Sequence, residues 1–139
     1  MHVDHVGLSV GDLDAQAAWY GRALGFETAH PFEIDAVGLR GVFLLGPDGV
    51  AIELLEKQGS ARVAPPPADP PSALLARGYG HICLRVDDTL AAYERLIAAG
   101  AGSVAAPFPA PEPGVHAAFV ADPEGNLIEL LDRAHEVRA

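Results

Sequence analysis

The chain has 139 residues, half of them hydrophobic and 20% charged, with 9 Lys+Arg against 19 Asp+Glu and a formal net charge of −10. That is enough apolar mass for one domain or for two small modules, while the acidic balance excludes non-specific nucleic-acid binding, which needs clustered Lys and Arg. No apolar run approaches the ~20 residues that span a bilayer, and the N-terminus lacks the basic and apolar segments of a secretory signal. The single cysteine, Cys83, has no internal partner, so a reducing, cytoplasmic location is expected.

Residues 3–10 alternate and are rich in β-branched and apolar side chains, which predicts a strand. Asp12-Leu13-Asp14 then supplies an N-cap, Ala15 to Leu24 reads as a helix, and Gly25 stops it. Short strands are predicted at 26–32, 41–45 and 51–56. A linker rich in proline follows over 58–78, with a helical turn at 72–76. Beyond it the order recurs: a strand from His81, a helix over 90–99 capped by Asp87-Asp88-Thr89 and ended by Gly100, and strands at 103–106, 115–121 and 127–132. Pro47-Asp48-Gly49 and Pro123-Glu124-Gly125 are turn sequences that close the last two strands of each half into a hairpin. The predicted class is α+β, two tandem βαβββ modules at 1–57 and 79–139.

The halves are related by a constant offset. His5-Val6-Gly7-Leu8-Ser9-Val10 returns as His81-Ile82-Cys83-Leu84-Arg85-Val86, and the segment ending Ile52-Glu53-Leu54-Leu55 returns as Ile128-Glu129-Leu130-Leu131. Both offsets are 76 (81 − 5 and 129 − 53). Chance apolar similarity does not hold register between two motifs so far apart, so the chain is read as an internal duplication.

His5, Glu53, His81 and Glu129 stand at equivalent places. Each is predicted to lie mid-strand, and each Glu sits between Ile and Leu. Alternation turns Ile52 and Leu54 to one face and Glu53 to the other, and does the same for Glu129. A carboxylate so placed is costly to bury without a partner. Two imidazoles and two carboxylates suit one divalent ion (Zn, Ni, Co, Mn or Fe), with water completing an open coordination sphere. His2, His30, His116 and His135 lack a repeated carboxylate partner and are set aside as ligands.

These segments, with Gly80-His81 to Asp88 and Phe119-Val120-Ala121-Asp122-Pro123-Glu124-Gly125-Asn126-Leu127-Ile128-Glu129-Leu130, resemble the vicinal oxygen chelate superfamily. That group holds glyoxalase I, methylmalonyl-CoA epimerase, extradiol dioxygenases, fosfomycin-resistance enzymes and bleomycin-binding proteins. The resemblance covers residues 3–132. It implies a cup-shaped mixed sheet around one metal, and a homodimer with the metal site shared between modules. The ligand quartet resembles the glyoxalase I pattern best: dioxygenases and fosfomycin enzymes use three ligands, epimerases put Gln at the place of Glu53, and bleomycin-binding proteins lack the ligands. By that resemblance the activity is a metal-dependent lyase or isomerase reaction, a proton transfer on a small substrate with vicinal oxygens. Glu53 or Glu129 is the base. An extradiol-type dioxygenase and a non-catalytic drug- or metabolite-binding resistance protein are the alternatives.

Alternation puts Ser9 with His5, and Cys83 and Arg85 with His81, which makes these three the candidate substrate-binding residues. Where the glutathione enzyme carries Arg, this chain has Ser9. Where that enzyme has a basic Gly-rich loop, this chain has Pro107 to Gly114, acidic and proline-rich. Both departures count against a glutathione adduct. Two placements are open for Arg85, on a substrate anion or in a surface pair with Asp87 or Asp88. Cys83 is a packing residue or a pocket thiol, and Arg40 and His116 line the mouth of the cup or the surface. Trp19 and Tyr20 are assigned to a core or an interface, and Phe26, Phe43 and Phe119 to strand–helix packing or to an apolar pocket wall.

Overall fold

The opening alternation becomes β1 (Val6–Val10), and Asp12 ends it. The Asp12 carboxylate accepts the Ala15 N–H at 2.9 Å, so α1 (Leu13–Leu24) begins two residues earlier than expected, and Gly25 closes it at φ 74°. In this computed structural model residues 2–134 are described; His135, set aside above as a ligand, lies outside them. Then come β2 (Glu27–Ile34), β3 (Leu39–Leu45) and β4 (Ala51–Lys57), in a four-stranded sheet of order β1-β4-β3-β2. β1 runs parallel to β4, with Gly7 opposite Glu53, and the other pairs are antiparallel.

The second unit repeats this plan. It holds β5 (Ile82–Arg85), α3 (Thr89–Ala98), β6 (Gly102–Pro109), β7 (His116–Ala121) and β8 (Leu127–Leu131), in sheet order β5-β8-β7-β6. Asp88 caps α3 by accepting the Ala91 N–H at 2.9 Å. The chain divides into compact units at 1–64 and 65–139. In chain order α2 (Pro70–Ala73), a single turn, comes after β4 and before β5. It starts two residues before the turn expected at 72–76, because Asp69 and Ser72 form a reciprocal capping box with Pro70 at the first helical position.

Each unit packs its helix on one face of its sheet. In unit 1, Ile52 and Leu54 of β4 and Val42 and Leu44 of β3 are buried there, with Leu13, Trp19, Tyr20 and Ala23 of α1. Trp19, Tyr20 and Phe26 form a run of edge-to-face contacts inside this core, so both Trp19 and Tyr20 are core residues. The buried stripe of α1 passes through Gln16, while Ala18 is exposed. In unit 2 Leu96 packs from α3, with Val120, Ile128 and Leu130 from the sheet, all fully buried. The hairpins close as expected. Gly49 and Gly125 take φ 78° and 83° in them, where a Cβ would be strained. In the second, the buried Asp122 carboxylate accepts N–H groups of Glu124 and Asn126.

Candidate metal centre

In each unit the helix-free face of the sheet carries the candidate ligands. The parallel ladders begin at Val6–Ile52 and Ile82–Ile128, so His5 and His81 do not lie mid-strand as expected. Each is the residue just ahead of its strand, outside the paired register. Alternation still turns each ring over the neighbouring Glu. His5 Nε2 lies 3.5 Å from Glu53 Oε2, and His81 Nε2 lies 3.1 Å from Glu129 Oε2. All four side chains are about one-fifth to one-third exposed. His5 has a second carboxylate, since its Nδ1 is 2.8 Å from Asp4 Oδ1. That contact, ahead of the nearby Glu53 charge, raises the His5 pKa against the opposing effect of desolvation.

An aromatic pair flanks each His. Phe43 meets the His5 ring edge-on at 5.1 Å and Phe32 lies 6.2 Å from Phe43. Phe119 meets His81 at 5.6 Å and stacks on Phe108 at 6.3 Å. Phe43 and Phe119 therefore do not pack strands against helices; they stand directly opposite Glu53 and Glu129 in the ladders, on the ligand face.

Phe32 and Phe108 reach that face through a bulge. Between Ala29 and Phe32 the edge strand advances three residues while β3 retreats two, from Phe43 to Gly41. The same count holds between Ala105 and Phe108 against Phe119 and Ala117. The extra residue inverts the parity of everything after it. Pro31 and Pro107, again 76 apart, sit in the two bulges, and His30 takes φ 49° there. Proline within an edge strand was the available sequence sign of this bulge.

Arg40 and His116 do not line the ligand face. Arg40 stands opposite Glu56 on the helix side. It donates to Glu56 Oε2 at 3.0 Å and to Asp14 Oδ2 at 3.2 Å, and its pKa is raised by both. His116 repeats the motif, with Nδ1 3.1 Å from Asp132 Oδ2 and its backbone N–H donating to Asp132 Oδ1 at 2.6 Å. His116 thus has a carboxylate partner after all, on the helix side of β7. A cavity of about 450 Å³ in unit 1 also opens on that side, between α1 and the β2–β3 edge, and excludes His5 and Glu53.

The model of the Glyoxalase/Bleomycin resistance protein/Dioxygenase superfamily matches residues 2–130. The chain belongs to that superfamily. Among its relatives, a protein of Vibrio cholerae named "Probable lactoylglutathione lyase" is 33% identical over 130 residues, 91% of this chain and 87% of that protein. An "Ethylmalonyl-CoA/methylmalonyl-CoA epimerase" of Cereibacter sphaeroides is 37% identical over 103 residues, 71% of each. In fold, the chain resembles a glyoxylase/bleomycin resistance protein/dioxygenase domain of Frankia at TM-score 0.74 and 24% identity, covering 95% of this chain and 97% of that one. It resembles a glyoxalase I mutant of Zea mays at TM-score 0.76 and 24% identity, covering 96% of this chain and 45% of that one. The chain thus spans about half the length of the maize protein.

Glyoxalase I-type members of the superfamily use a divalent metal, and the donor chemistry fits one. Ligands bonded at about 2.1 Å and about 90–110° apart lie about 3.0–3.4 Å from each other, close to the two His–Glu separations. Asp4 on Nδ1 leaves Nε2 of His5 to face an ion, the usual outer partner of a ligating imidazole. Among the described residues no three candidate ligands cluster; each unit offers one imidazole and one carboxylate, two of the donors that a catalytic site needs.

The other site candidates share the ligand face. Ser9 and Arg85 are exposed there, and Arg85 makes no ion pair with Asp87 or Asp88 among the described residues. Cys83 stands opposite Glu129 in the ladder. It is exposed as a residue, yet its thiol is crowded enough that desolvation, then the Glu129 charge, pushes its pKa up to about 12. Such a thiol stays protonated at neutral pH and is a poor nucleophile. No helix among the described residues is long and apolar enough to cross a membrane.

Proposed function

We propose that the chain is a divalent-metal-dependent lyase or isomerase that moves a proton on a small substrate with two vicinal oxygens. The observation that carries this reading is the repeated His–Glu pair, His5 with Glu53 and His81 with Glu129, each on the helix-free face of its sheet. In this reading the two pairs supply the four protein donors of one ion, His5, Glu53, His81 and Glu129, in a homodimer. When bound, the ion acts as a Lewis acid toward a substrate oxygen and lowers the cost of charge developing there. Glu53 or Glu129 accepts the proton from the carbon beside the carbonyl and returns it to the neighbouring carbon. Phe43 and Phe119 keep bulk water from the carboxylate and hold the apolar side of the substrate. Arg85 pairs with a substrate anion, Ser9 donates a hydrogen bond, and Cys83 packs beside Glu129.

A second reading keeps the chemistry and changes the outcome. The relative named as an epimerase favours return of the proton to the same carbon from the opposite face. Ser9 and the proline-rich loop from Pro107 to Gly114, which carries no Lys or Arg, favour a substrate other than a glutathione adduct. Solvent-deuterium uptake tests both readings. Protein reloaded with Zn, Ni, Co, Mn or Fe is incubated in D2O with methylglyoxal plus a thiol, and separately with methylmalonyl-CoA. Metal-dependent deuterium at carbon, lost in Glu53→Gln or Glu129→Gln, is the expected result. Oxygen consumption with a catechol, or stoichiometric binding of a drug by metal-free protein without exchange, would replace this reading with a dioxygenase or a binding protein.

A further inference from the structure

Unit 2 carries a cation that the chemistry above does not use. β8 ends at Leu131; beyond it Asp132 turns to the helix side to meet His116. Alternation then returns Arg133 to the face of Glu129 and Leu131. Its side chain is three-quarters buried, and its Nε donates to Glu112 Oε2 at 2.6 Å. Glu112 belongs to the acidic, proline-rich turn between β6 and β7. That turn is closed on itself by the Ala110 N–H to Val115 O bond at 2.8 Å and the Val115 N–H to Glu112 O bond at 3.2 Å. The carboxylate thus holds the guanidinium from a braced position.

Only Nε is engaged by Glu112, and among the described residues the two terminal amino groups have no partner. The counterpart in unit 1, Lys57, is instead exposed and donates to the Gln58 carbonyl at 3.1 Å. The contrast is local, since the chain as a whole has 9 Lys+Arg against 19 Asp+Glu.

We propose that Arg133, oriented by Glu112, is a specificity-determining residue that receives an anionic group, carboxylate or phosphate, carried by the substrate beyond its vicinal oxygens. A guanidinium held through Nε keeps its planar pair of terminal amino groups for a second oxyanion, a geometry Lys does not reproduce. This proposal rests on the reading of His81 and Glu129 as metal ligands for the vicinal oxygens. It names what lies at the other end of the substrate.

Malate and lactate are the probes. Both carry adjacent hydroxyl and carboxylate oxygens, and malate alone has a second carboxylate. Each is titrated calorimetrically into metal-loaded and metal-free protein. Wild type is expected to bind malate about 10-fold more tightly than lactate, the ratio that one charge-assisted contact supplies. Arg133→Gln is expected to erase that preference with lactate binding and metal content unchanged, and Glu112→Gln to keep the preference in weakened form. Equal binding of both acids by wild type, or a preference that survives in Arg133→Gln, overturns the proposal. Equal loss of both acids in Arg133→Gln and Glu112→Gln also overturns it, because the pair is then only a loop brace. If the protein takes up no metal, the metal reading fails by itself, and the malate titrations of metal-free wild type and Arg133→Gln still decide the role of Arg133.

Discussion

His81 Nε2 stands 3.1 Å from Glu129 Oε2, and 76 residues earlier His5 Nε2 stands 3.5 Å from Glu53 Oε2. The two contacts differ in what lies behind the ring. Asp4 binds Nδ1 of His5, and no such bond to Nδ1 of His81 is found among the described residues. Asp4 therefore orients one of the two candidate imidazoles and raises its pKa above 6.5.

That asymmetry sets a pH dependence for metal uptake. A ligating imidazole must be neutral, so affinity falls as pH drops through the raised His5 value, beginning above pH 6.5. Removing Asp4 lowers that pKa and moves the fall to lower pH. It also loosens the ring, so Asp4→Asn is expected to weaken metal binding by about 10-fold at pH 8. Competition with a chromogenic chelator across pH measures both effects. In metal-free protein the sign reverses: the raised pKa contributes stability below 6.5 that is lost as pH rises through the folded value.

On the helix side the paired carboxylates govern acid stability. Arg40, then the Leu13 N–H, hold Glu56 below its ordinary 4.5, and the His116 backbone and ring hold Asp132 below 3.8. Depressed carboxylates stabilise the fold above their unfolded values, and that contribution is lost as pH falls through the folded ones. The melting temperature should therefore drop below about pH 4. A Glu56→Gln, Asp132→Asn double variant should start lower at pH 7 and fall less steeply. Parallel thermal melts from pH 7 to pH 2.5 would show it, and identical slopes would refute it.

Gly41 is the floor under Phe32. A Cβ there would run into the Phe32 ring, and a ring inserted beside Phe43 has little room to retreat. Gly41→Ala is expected to cost about 1–3 kcal/mol, the range for overpacking. It should also move Phe32 off the His5 face. Denaturant unfolding measures the first effect, and the aromatic ring-current shift on His5 protons measures the second.

Gln16 breaks the apolar stripe of α1. It is 1% exposed, and among the described residues both side-chain polar atoms lack a hydrogen-bond partner. The equivalent position in unit 2 is Ala92, which is also buried. Gln16→Met keeps the volume and removes the unpaired amide, so stability should rise by about 1 kcal/mol. A lower denaturation midpoint would show that the amide is satisfied in solution.

Much of this was legible in the sequence because duplication doubles every observation. The βαβββ order, the caps at Asp12 and Asp88 and the facing of Glu53 and Glu129 follow from local pattern and the offset of 76. The face of Phe43 and Phe119 was not legible, since it depends on the register that the five-residue connections at 46–50 and 122–126 impose. Phe32 and Phe108 were hidden by the bulges, which invert strand parity. Arg133 was missed because it lies past the last strand, and its partner Glu112 is distant in sequence.

Metal content tests the central claim most directly. Protein purified without chelator and reloaded with a divalent metal is assayed by elemental analysis, alongside His81→Ala and Glu129→Ala. The four-donor reading predicts about one ion per four-ligand set in wild type and loss of most of it in either variant. Wild-type protein that holds less than about 0.1 ion per chain, or variants that retain the metal, would contradict it.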